Sequence, residues 1–155
     1  MERDIERAIR ELSFRMRLLK AKQEDESSSE VLTEREAMIL GLLQERGRLS
    51  VSQIAAADPN VSDSTISTDV TRLWRDKQMV TKTISPENQR TTIVELTDKG
   101  KKALELIQKQ RTERFKTLFK AINVTDDEKR VFMTVLKRAL THLDKHLGLN
   151  EGTEK

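Results

Sequence analysis

A mainly α-helical fold carrying one small β-hairpin is what this 155-residue sequence predicts, and three observations predict it. Apolar residues recur at three- and four-residue spacing through most of the chain, the period of an amphipathic helix. Two short runs rich in β-branched residues, Met79 to Ile84 and Thr92 to Leu96, break that pattern on either side of a loop holding Pro86 and Asn88, which is the signature of a hairpin. Hydroxyl residues that can cap a helix, Thr33, Ser62, Thr97 and Thr125, stand directly ahead of apolar stripes, where helices begin.

The length suits one folded unit with one hydrophobic core. Hydrophobic and charged residues each make up 35% of the chain, so a partner subunit is expected to cover some of the apolar surface. The absence of cysteine removes disulfides, thiolate metal ligands and cysteine nucleophiles, and fits a reducing cytoplasm. Met1 to Lys22 alternates charge with apolar residues; it has no signal-peptide core and no uncharged run able to span a membrane. The net charge of +3 is compatible with nucleic acid without requiring it. Charge is segregated: Lys99 to Lys120 holds eight bases against two acids, while residues 23 to 60 hold three bases against eight acids.

The elements follow in order. Ile5, Ala8, Ile9, Leu12, Met16 and Leu19 place one stripe on a helix from Glu2 to Lys22, and Gln23 to Glu30 reads as a polar linker. Thr33 with Glu36 forms a capping box, opening a helix with the stripe Met38, Ile39, Leu42 and Leu43 and a stop at Gly47. Ser50 to Ala57 is a short helix closed by the turn Asp58-Pro59-Asn60. Ser62 caps the next helix, whose inward stripe is Ile66, Val70, Leu73 and Trp74. After the hairpin, Thr97 caps a helix of about 25 residues. Thr125 with Glu128 caps the last one, which carries Phe132, Val135, Leu136, Ala139, Leu140, Leu143 and Leu147.

Two short helices joined by a turn, with an aliphatic stripe on the second, match a helix-turn-helix, and the appended hairpin makes it the winged variety. In that geometry the second helix enters the major groove of DNA. With Ile66, Val70 and Leu73 inward, its opposite face presents Ser62, Ser64, Thr65, Ser67, Thr68, Thr71, Arg72 and Arg75. Hydroxyls donate or accept, and a threonine methyl meets a thymine methyl. Ser50, Ser52 and Gln53, at the start of the preceding helix, are candidates for neutral phosphate contacts. On the wing, Arg90 suits a narrow minor groove, with Lys82, Asn88, Gln89 and Thr91 near the phosphates. Charges from Val61 to Asp98 nearly balance, so affinity depends on where each one points.

The element order resembles the MarR family of bacterial transcriptional regulators. So do three strings: Leu49-Ser50-Val51-Ser52-Gln53-Ile54-Ala55, Val61-Ser62-Asp63-Ser64-Thr65-Ile66-Ser67, and the wing-to-helix junction Val94-Glu95-Leu96-Thr97-Asp98-Lys99-Gly100. There are departures. Asn88-Gln89-Arg90 stands where the family's wing carries Asp-x-Arg, and Gln78 replaces a glycine after the recognition helix. The resemblance implies a sequence-specific regulator of double-stranded DNA, a repressor working as a homodimer on a palindromic operator and released by a small-molecule effector. It implies a DNA-binding lobe over residues 31–98, dimerisation helices over 1–30 and 99–147, and a flexible tail over 148–155. Ile5, Ile9, Leu12, Leu136, Leu140, Leu143 and Leu147 are the expected intersubunit residues, because a single recognition helix and wing bury too little DNA for tight specific binding.

Other functions find less support in the residues. His142 and His146 stand at i and i+4, a spacing that can serve Zn²⁺, but no acid pattern completes a site. No cofactor is expected. A phosphate-cradling glycine loop and a nucleophile with a paired base are both missing from the sequence, which argues against an enzyme. The rival to DNA binding is a protein-interaction or anti-repressor module on the same scaffold, since the recognition face is poor in arginine.

Overall fold

The computed structural model describes residues 1–26 and 31–148, as six helices and three strands among those residues. They cluster into two compact units, Met1–Glu105 and Leu106–Lys155. Ser27 to Glu30, in the expected linker, and 149–155, in the expected tail, lie outside the described residues.

In the first unit, α1 (Glu2–Glu26) runs past the expected end at Lys22. Gln23, Glu24 and Glu26 are good helix formers, so polarity by itself did not break the helix. The capping box opens α2 (Glu34–Arg46): Thr33 Oγ1 accepts from the Glu36 amide at 3.1 Å, and Glu36 Oε2 accepts from the Thr33 amide at 2.9 Å. The buried face of α2 is Ala37, Ile39, Leu40 and Leu43, with Met38 and Leu42 only half-buried. The expected stripe was therefore rotated slightly. Gly47 ends the helix at φ 77°, a backbone region in which glycine is unstrained.

A strand that the sequence did not announce follows. β1 (Leu49–Ser50) is two residues long, and leads directly into α3 (Val51–Ala56). Next come α4 (Asp63–Arg75), β2 (Val80–Ile84) and β3 (Thr92–Leu96). The sheet is antiparallel in the order β1-β3-β2, with Leu49 opposite Val94 and Lys82 also opposite Val94. The hairpin is thus the outer part of a three-stranded sheet rooted on the chain before α3. Ile39, Leu40, Ile54, Ile66, Val70, Leu73, Val80 and Val94 form a closed core, so helices and sheet share one set of apolar contacts.

The long helix α5 (Asp98–Ala121) starts against this core. Thr97 Oγ1 accepts from the Gly100 amide at 3.1 Å and donates to the Gln78 carbonyl at 2.8 Å. Gln78 itself has φ 56°, so it occupies the left-handed position its place in the sequence suggested. Gly100 is there for space: a Cβ would lie 2.1 Å from the Met79 carbonyl oxygen.

The second unit holds the rest of α5 and then α6 (Asp126–His146). Asn123, at φ 55°, makes the turn between them. The Thr125–Glu128 capping box forms as expected, with the Thr125 amide donating to Glu128 Oε2 at 2.8 Å. Phe115 and Phe119 meet edge to face with centroids 6.0 Å apart. No described residue from Leu106 onward is buried.

Candidate nucleic-acid interface

The start of α4 is a cluster of hydroxyls. Ser62 accepts from the Thr65 amide as N-cap, and its Oγ shares hydrogen bonds with Ser64 Oγ (3.1 Å) and Thr65 Oγ1 (2.8 Å). Thr68 Oγ1 donates to the Ser64 carbonyl at 2.9 Å. Ser62, Ser64 and Thr68 are exposed, while Thr65, Ser67 and Thr71 are half-buried. Ser62 Oγ is saturated by these contacts, whereas the Ser64, Thr65 and Thr68 hydroxyls keep accepting capacity for a donor on a base edge.

At the start of α3 the three candidates separate. Ser50 is buried, its Oγ accepting from the Gln53 backbone amide while Gln53 Oε1 accepts from the Ser50 backbone amide at 2.8 Å. Both side chains therefore serve a second capping box. Ser52 and Gln53 are exposed.

Beneath α4 lie two carboxylates that a sequence reading leaves at the surface. Asp69 and Glu36 are buried. Asp69 pairs with Arg35 and with Arg72 Nη1 at 3.3 Å. Glu36 pairs with Lys77 Nζ at 2.7 Å and with Arg72 Nη1 at 3.5 Å. Lys77 also donates to the Val31 carbonyl at 2.8 Å. The hydrogen bond from Arg35 to Asp69, and then the Asp69 charge, hold the Arg35 guanidinium above its ordinary pKa. The network ties α2 to α4 by polar contacts, which fix orientation more narrowly than apolar packing does. It also neutralises Arg72, one of the expected DNA contacts, on the α2 side of the helix.

The other flank of α4 faces the wing. Lys82 on β2 donates to Thr71 Oγ1 at 3.2 Å. Trp74, expected inward, is instead 40% exposed, because one position beyond Leu73 the helix has already turned toward the wing. Its ring lies 5.2 Å from Lys82 Nζ and 5.7 Å from the Arg75 guanidinium carbon. Sequence reasoning missed this residue, and the signal that could have found it is its placement beside Arg75 at the helix end.

At the wing tip, Asn88 does the work expected of an amide in place of an acid. Its Oδ1 accepts from the Arg90 amide at 3.1 Å, while the Thr91 amide donates to the Asn88 carbonyl at 2.8 Å. That local turn leaves the Asn88, Gln89 and Arg90 side chains exposed and Thr91 half-buried.

The expected intersubunit residues are all exposed in the single chain: Ile5, Ile9 (60%) and Leu12 on α1, with Leu136, Leu140 (56%), Leu143 and Leu147 on or just beyond α6. His142 and His146 stack with ring centroids 6.4 Å apart. Among the described residues no group of three or more His, Asp or Glu side chains is placed to hold a metal ion, and no helix is long and apolar enough to cross a membrane.

Neither a protein-family model nor a curated protein sequence matches the chain. Solved structures do. A MarR family protein from Bacillus stearothermophilus is 20% identical with a TM-score of 0.71, over 92% of this chain and 97% of that one. The transcriptional regulator Tm0710 from Thermotoga maritima is 18% identical with a TM-score of 0.64, over 94% and 98%. BpsR from Bordetella bronchiseptica, whose DNA binding is regulated by 6-hydroxynicotinic acid, is 18% identical with a TM-score of 0.51, over 70% and 79%. The chain therefore has the winged helix fold of the MarR regulators.

Proposed function

We propose that the chain is a transcriptional regulator that binds double-stranded DNA as a homodimer, inserting α4 into the major groove and the wing into the neighbouring minor groove. The observation that carries this is the outward side of α4. The exposed hydroxyls of Ser62, Ser64 and Thr68 lead to an exposed Arg75, and the wing adds a half-buried Lys82 and an exposed Arg90. Base edges and phosphates require that combination of neutral donors and acceptors with a few cations. The division into a DNA-binding lobe and dimerisation helices follows, with α1, α5 and α6 pairing two copies so that two recognition helices stand about 34 Å apart.

Repression, a palindromic operator and release by a small molecule extend the proposal. They are supported by the fold shared with BpsR, whose DNA binding responds to such a molecule. No catalytic role is assigned. Selection of bound sequences from random duplexes tests the function: enrichment of an inverted repeat is expected, and recovery of unselected sequence would sink it. Arg90→Ala is expected to weaken binding about tenfold, read by anisotropy of a labelled duplex, and unchanged affinity removes Arg90 from the interface.

A protein-interaction module is the second reading. It is favoured by the pairing of Arg35, Arg72 and Lys77 with buried acids, which lowers the positive charge available to DNA. Duplex affinity that falls steeply with salt separates the two, because only phosphate contacts release counterions.

A further inference from the structure

We propose that Trp74 organises a phosphate-binding subsite with Arg75 and Lys82 where α4 meets the wing. The subsite rests on the DNA-binding function proposed above, and adds to it a residue that helix periodicity assigned to the core.

The cations around α4 fall into two groups. On the α2 side, Arg35, Arg72 and Lys77 are each bound to a buried carboxylate. On the wing side, Arg75 and Lys82 form no ion pair among the described residues. They meet instead at one aromatic ring, with Lys82 Nζ 5.2 Å and the Arg75 guanidinium carbon 5.7 Å from the Trp74 centroid. Both separations are within the roughly 6 Å over which a ring quadrupole attracts a cation. Trp74 thus attracts two cations at once, one from α4 and one from β2.

Their remaining donors define the ligand. Lys82 uses one N–H on Thr71 Oγ1, leaving two of the three an ammonium carries. Arg75 is exposed and its guanidinium meets no carboxylate among the described residues, and its planar fork suits a bidentate anion. Two cations held at one ring repel each other, and a bound anion relieves that repulsion. A phosphodiester with two unesterified oxygens matches both donors, and a duplex entering along α4 offers one at every nucleotide. Such a contact carries no base information, so the subsite sets how deeply and in what register α4 lies in the groove. Trp74 is a positioning residue here, acting through Lys82 and Arg75.

The test uses the full chain and a fluorescein-labelled pool of random-sequence duplexes, with anisotropy read across a potassium chloride series. Trp74→Leu is expected to lower affinity about fivefold and to reduce the salt slope by roughly 0.9, the value of one lost phosphate. Trp74→Phe, which keeps a ring, is expected to restore most of both. Wild-type affinity and slope in Trp74→Leu would overturn the proposal. Because that variant could fold poorly, the wild-type protein supplies a second arm. Trp74 is the only tryptophan, so saturating duplex should change its emission and shield it from iodide. Unaltered emission and quenching in a protein that binds duplex remove the subsite alone, whereas a wild-type protein that retains no duplex at low salt removes the DNA-binding function and the subsite together.

Discussion

Single residues in the first unit carry large consequences because so many polar groups there are enclosed. Glu36 is fully buried and depends on Lys77, Arg72 and the Thr33 amide. Lys77→Met strips away the shortest of these contacts and leaves a buried carboxylate short of donors. We expect a loss of about 2 kcal/mol, measured by urea unfolding, and a loss under about 0.5 kcal/mol, as at an ordinary surface site, would contradict the network's importance. At Gly100 the added methyl meets main chain, which cannot swing aside as a side chain can. Gly100→Ala should therefore cost about 3 kcal/mol, at the upper end of overpacking, with a matching fall in thermal midpoint. Burial of Glu36 and Asp69 was not legible in the sequence. A charged residue is by default solvated, and only the partners converging from α2, α4 and the segment after it reveal otherwise.

Elements were legible where their signals are local. Thr33 with Glu36, and Thr125 with Glu128, announce helix starts within four residues, and both boxes form. β1 was not legible, since its two residues gain a partner more than forty positions later in β3. Trp74 shows the limit of periodicity: the 3.6-residue repeat locates the centre of a buried stripe but not its edges. The exposed α6 cap also yields a pH prediction. The Thr125 amide, and then its hydroxyl, stabilise ionised Glu128 and hold its pKa below the ordinary carboxylate value. A depressed carboxylate contributes stability above its unfolded pKa and loses it as pH falls through the folded value. Amide shifts at Thr125 and Glu128 should thus report fraying of α6 on acidification through and below the ordinary carboxylate range, and Glu128→Gln should flatten that response. A pH-independent cap would contradict the arrangement.

On the scale of the whole molecule, apolar surface is distributed unevenly. Ile5, Ile9 and Leu12 on α1, and Val131, Phe132, Val135, Leu136, Leu140 and Leu143 on α6, stay exposed in one chain. An exposed apolar stripe on a helix, as each of these two is, marks an association site. We expect sedimentation to give a dimer at micromolar concentration, and Leu140→Glu to yield monomer with frayed terminal helices. A wild-type monomer would contradict the proposed pairing.

No residue along α6 is buried within one chain, so under the proposed pairing dilution acts with the force of a denaturant. If association is what shields that helix, folding of the terminal helices and assembly are one equilibrium, and the thermal midpoint must climb with total protein. Scarce copies then spend more time as lone chains with loosened ends open to proteases. Abundance would set how long each molecule survives as well as how many sites are filled.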